Sequence, residues 1–167
     1  MPQLLYDFNP VGKIVVDAIG EPGHRTFYLQ GTQGRTTVTV IVEKMQAQAL
    51  AEGIDELLEK LGEPPNTSKA ELSLDEPLEP LFRVAQIGLG HDESSARLVL
   101  IAYDAPDNDD EANTESTGAV RFWMSRDQAR ALAAHARIVC AGGRPICVLC
   151  GNPIDADGHF CPKRNGH

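Results

Sequence analysis

No apolar run in this chain approaches the roughly 20 residues needed to span a bilayer, so no transmembrane helix is expected. The opening MPQLLYDFNP has neither the basic stretch nor the apolar core of a signal peptide. Together these absences lead us to expect a soluble cytoplasmic protein, in a compartment where thiols stay reduced. Basic charge is also short: 15 Lys and Arg stand against 24 Asp and Glu, a net of −9. That sign argues against nucleic-acid binding, which needs a basic footprint. Catalytic signatures are missing too, with no GxSxG, HExxH, Walker A or GxGxxG. Cysteine is scarce, and three of the four lie within residues 147–167.

What is present is an ordinary globular composition, 42% hydrophobic and 23% charged, in 167 residues. That is one domain, or one domain with a small appendage, and enough chain for a core without disulfides. The acidity is local. Residues 63–80 carry five acids and one lysine, and residues 104–117 carry six acids and no base. Those two segments hold all of the net negative charge, and each is expected to be a solvated loop.

The chain reads as a duplicated unit. QAQALA at 46–51 returns as QARALA at 128–133, an offset of 82. At the same offset Val38, Val40 and Val42 fall on Val120, Phe122 and Met124. With shorter loops, Ile19-Gly20 falls on Ile87-Gly88, and the run from Arg25 to Leu29 on that from Arg97 to Ile101. The copies span about 12–62 and 82–142, with a linker at 63–80 and an acidic insert at 104–118. Each copy is expected to be three strands and a helix. Val38, Val40 and Val42 alternate with period two, and Leu50, Ile54, Leu57, Leu58 and Leu61 recur at helical spacing. Leu132, Ala136, Val139 and Cys140 form the matching stripe. The expected fold is α+β: an antiparallel sheet from an internally duplicated β-β-β-α unit, two helices on one face, and a small C-terminal zinc knuckle or ribbon. The body would occupy 1–143 and the knob 144–167.

The knob rests on CVLCGNPIDADGHFCPKRNGH. Two residues between Cys147 and Cys150 let both sulfurs face one ion, and the following glycine lets the backbone turn. In an extended segment His159 and Cys161 share a face. Cys147, Cys150, His159 and Cys161 thus make a Cys₃His set suited to zinc, with His167 as the alternative fourth ligand. Cys140 aligns with Leu58 on the helical stripe and is left out of the set, as a small core hydrophobe. Four protein ligands leave no open position, so the zinc is structural. Lys163 and Arg164 give the knob a basic surface on an acidic body. That surface suits a protein partner, or is a solvated cap.

Outside the knob, His91 stands beside Asp92 and Glu93, and His24 holds the equivalent turn of the first copy. Both are polar turn residues, or two histidines facing one cleft. Arg25 next to His24 is a candidate anion ligand, with Glu21 or Glu43 as its expected ion-pair partner. Trp123 points away from Phe122 and Met124, and either marks a binding surface or covers the sheet edge.

LLYDFNP, GEPGHRTFYLQ, VEKMQAQALAE and the C-terminal motif, taken in order, resemble the mainly actinobacterial family known as domain of unknown function 3090. The resemblance spans nearly the whole chain. The family pattern usually places proline where Val148 and Ala156 stand, which leaves the ligands undisturbed. The resemblance carries no assigned activity. It implies a genomic setting beside a phosphoglycerate-mutase-like phosphatase and a kinase-like protein, and so a partner pathway. We expect a non-enzymatic zinc-stabilised adaptor or accessory subunit. The alternatives are a phosphate-handling or hydrolytic enzyme with a cleft near His24, Arg25 and His91, and a nucleic-acid binder using Lys163 and Arg164.

Overall fold

Short turns and β-branched runs build the strands of this chain, and two amphipathic stretches build its helices. The computed structural model describes residues 3–21, 23–64, 72–105 and 118–142. In chain order these form β1 (Gln3–Phe8), β2 (Lys13–Ile19), β3 (Thr26–Gln33), β4 (Thr36–Val42), α1 (Lys44–Lys60), β5 (Pro80–Asp92), β6 (Arg97–Asp104), β7 (Gly118–Met124) and α2 (Arg126–Cys140). The acidic insert from 106 to 117, residues 65–71 of the linker and the chain from 143 onward lie outside the described residues. No helix among the described residues is long and apolar enough to cross a membrane.

The α+β class and the two helices are as expected, but the sheet is mixed rather than antiparallel. Its seven strands run in the order β1-β7-β6-β5-β4-β3-β2. β2–β3–β4 and β5–β6–β7 are antiparallel meanders, the second with the acidic insert between β6 and β7. Between them α1 and the linker form a crossover, and a crossover returns the next strand parallel, so β5 lies parallel to β4. β1 pairs in parallel with β7. No buried apolar alternation marks β1 in the sequence, since all its residues except Phe8 are exposed.

The two ends of this strand order meet at the link from β1 to β2. There the Val11 amide donates to Trp123 O on β7 at 2.8 Å, and the Gly12 amide to Thr32 O on β3 at 2.7 Å. The sheet therefore curls back around a single core. Val16, Leu29, Val40, Leu100 and Phe122 are fully buried in it. Gly31 is required there, because a Cβ on β3 at that point would run into the Phe122 ring.

Ser125 caps α2: its Oγ accepts from the Gln128 amide at 3.1 Å, while Gln128 Oε1 accepts from the Ser125 amide at 2.9 Å. At α1, Gln46 Oε1 likewise accepts from the Glu43 amide at 2.8 Å. The other end of each glutamine reaches beyond its helix, to β5 in one case and to the β1–β2 link in the other. Gln46 Nε2 donates to Val84 O on β5 at 3.1 Å, and Gln128 Nε2 donates to Val11 O at 2.8 Å. Thus α1 lies on β5 and α2 on β2, each helix against the first strand of the other meander. The helices also pack on each other, with an Arg137–Asp55 ion pair across them.

The linker has no regular structure where it is described, but it is tied down at two acids. Glu63 accepts from Arg126 at 2.6 Å and from Arg130 at 2.8 Å. Gln30, a buried amide on β3, is satisfied by Thr39 Oγ1 and Asp75 O, and accepts from the Asp75 amide at 2.7 Å.

Candidate functional site

The ligand residues Cys147, Cys150, His159 and Cys161, and the alternative His167, lie outside the described residues. Within the described residues no three His, Cys, Asp or Glu side chains gather as a metal site. Cys140 is buried on α2, and that burial pushes its thiol pKa up, as suits an inert core residue.

The body gathers its charge elsewhere. The β2–β3 turn delivers Arg25, α1 begins at Lys44, and the β4–β5 register sets Arg83 opposite Ile41. In that turn Gly20 has φ +118°, and a Cβ there would press on His24 O at 2.6 Å. The three cations line one cavity of about 410 Å³, together with Phe27 and Glu43. The Arg25 guanidinium stacks 5.1 Å from the centroid of Phe27. Glu43, an expected partner of Arg25, instead holds Arg83 at 2.7 Å, because the parallel β4–β5 pairing brings Arg83 to the end of β4. Among the described residues neither Arg25 nor Lys44 forms an ion pair with a carboxylate. The last described residue lies beside this cavity: a Cβ on Gly142 would lie 3.5 Å from Arg25 Nη2.

His24 is exposed in the turn, its amide donating to Glu21 O at 2.8 Å. His91 lies on β5 opposite Leu98, with Nε2 buried and lacking a hydrogen-bond partner among the described residues. Neither histidine lines the cavity, which brings Arg25 together with Lys44 and Arg83 instead. Trp123 covers the β1–β7 seam, its Nε1 donating to Asp7 Oδ1 at 2.7 Å and Arg121 stacked 5.2 Å from its ring. The hydrogen bond from Arg121 holds the Asp7 carboxyl below its usual pKa.

One polar pair escaped the sequence reading. His135 on α2 is nearly buried against β2, its Nε2 3.8 Å from Asp17 Oδ2. Neither ring nitrogen has a hydrogen-bond partner among the described residues. The signal was the spacing: His135 follows Leu132 by three residues and precedes Val139 by four, on the buried stripe.

No curated protein and no solved structure matches this chain. One family does, over a span that takes in the Arg25 cavity and Cys147, Cys150, His159 and Cys161, and ends before His167. The chain therefore belongs to the family described as Protein of unknown function (DUF3090), whose model matches residues 6–161.

Proposed function

We propose that this chain is a non-enzymatic, zinc-stabilised adaptor or accessory subunit, a duplicated α+β body carrying a zinc knob at 144–167. The observation that carries this reading is the ligand spacing, Cys147-x₂-Cys150 followed by His159-x-Cys161. The family match runs through all four, and the phasing of His159 with Cys161 favours His159 over His167 as the fourth ligand. A closed Cys₃His sphere folds a short segment that has little core of its own and leaves no position for a substrate.

The duplication is supported by the element order, in which three strands and a helix occur twice after β1. Ala47, Leu50 and Ala51 are buried on α1, as Ala129, Leu132 and Ala133 are on α2. Gln46 and Gln128, also 82 residues apart, make the same two-ended clamp. Because each helix covers the other copy's strand, the copies form one interlocked body. The knob follows the body directly in the sequence, and a basic knob on an acidic body suits a protein partner.

The test is a native pull-down comparing wild type with Cys161→Ser, with bound zinc measured on the same samples. A partner held by wild type and lost together with zinc supports an interaction module. Turnover that depends on His24 or His91 would sink the non-enzymatic reading in favour of a cleft enzyme.

A further inference from the structure

We infer that the cavity between the β2–β3 turn, the start of α1 and the start of β5 binds a phosphate-bearing small molecule, held by Arg25, Lys44 and Arg83. This goes beyond the zinc reading and does not rest on it.

Charge is the first argument. Three cations and one carboxylate line the cavity, which leaves a net of two positive charges. Cations gathered on one space attract an anion, in a field that salt weakens because Lys44 and Arg83 are exposed. Two positive charges match a phosphate monoester, which carries about −1.5 to −2 near neutral pH, better than a single carboxylate.

Placement is the second. Phe27 stacks under Arg25 and so limits its freedom. Glu43 takes one nitrogen of Arg83 at 2.7 Å, and a guanidinium with five N–H donors keeps others free for a second acceptor. α1 opens on the cavity with Lys44, and its first turn contains no acidic residue. Glu43 stands at the N-cap of α1, where its carboxylate offsets the positive end of the helix dipole, so the side-chain cations carry the site.

The positive field is also felt nearby. Burial raises the pKa of Cys140, at the end of α2, while Lys44 and then Arg25 pull against it. At about 410 Å³ the space accepts a small metabolite. Among the described residues the lining holds no histidine, cysteine or serine, and Glu43 is engaged with Arg83, so the site assigned is one of binding.

The probe is inorganic phosphate, titrated into the full zinc-loaded chain by calorimetry, with amide shifts followed by NMR. We expect saturable binding that weakens with added salt, with shifts centred on Lys44 and Arg25. Arg25→Gln and Lys44→Gln should each weaken it by about tenfold or more, the loss of one charge-assisted hydrogen bond. Arg35→Gln, the same charge change on the exposed β3–β4 turn, should leave it unchanged. Glu43→Gln removes the only carboxylate in the lining and should tighten binding. Lys44 is exposed, so its variant folds and keeps the test decisive if Arg25→Gln does not. Absence of saturable binding overturns the proposal, and so does equal weakening by Arg35→Gln and Lys44→Gln.

Discussion

Two helix-on-strand seams flank the core, and they differ at one step of the helix. Where α2 lies on β2, His135 fills the seam and faces Asp17 at 3.8 Å. Eighty-two residues earlier, where α1 lies on β5, the position is Gly53. By the match of Ile19 with Ile87, the counterpart of Asp17 is Ala85. With both polar groups absent, that seam keeps a cavity of about 250 Å³ lined by Leu50, Gly53, Ala85, Ile87 and Leu89. Both seams retain their glutamine clamp and their leucine anchor, Gln46 with Leu50 and Gln128 with Leu132. The clamp and anchor hold a helix on this sheet, and the contact one turn further along is free to change.

The comparison breaks first at the anchors. Leu132 is fully buried, whereas Leu50 borders the hollow seam. Leu132→Ala should cost about 3–5 kcal/mol and Leu50→Ala about 2 kcal/mol, the latter because part of its surroundings is already empty. Urea denaturation measures both, and equal losses would mean that the seams are packed alike. His135→Ala should cost about 1–2 kcal/mol by hollowing the tight seam, through lost packing rather than lost hydrogen bonds.

A second pair of regions sharpens the point. Each meander receives a parallel neighbour on its last strand, and each of those seams carries an ion pair. Asp7 and Arg121 are about two-thirds buried and doubly bonded, at 3.0 and 2.6 Å, whereas Glu43 and Arg83 are mostly exposed. Asp7 has its pKa lowered from 3.8, chiefly by the Arg121 hydrogen bond. A carboxyl lowered in the folded state stabilises fully above its unfolded value, and that stability is lost as pH falls through the folded one. Arg121→Gln should therefore destabilise at pH 6 and flatten the acid loss below pH 3.8, as read by denaturant melts across pH. Glu43→Gln should shift stability by no more than about 0.5 kcal/mol. The smallest effect is a gain. A Cβ on Gly53 would sit 3.5 Å from Leu89, an ordinary contact, so Gly53→Ala should add about 0.5–1 kcal/mol.

Elements that answer to local rules were legible in the sequence. Val38, Val40 and Val42 announce β4 by alternation, and the stripes of Leu50 to Leu61 and Leu132 to Cys140 announce the helices, all of them buried as spaced except the partly buried Leu57 and Leu61. What depends on distant pairing was not. β1 exists because β7 offers it an edge, and β5 is parallel to β4 because a crossover precedes it. The same non-local step misassigned Glu43, whose partner Arg83 is 40 residues away in sequence. Of the candidate site, Arg25 was visible as a charge in an apolar hairpin, but Lys44 and Arg83 join it only through the fold. The proposed metal ligands are the reverse case, carried wholly by spacing between Cys147 and Cys161.

The most direct test of the central claim is the metal content of the full chain by mass spectrometry, in wild type and in His159→Ala, Cys161→Ser and His167→Ala. The ligand spacing predicts about one zinc per chain, retained in His167→Ala and lost in the other two variants. A wild-type chain without zinc, or full zinc in Cys161→Ser, would contradict it.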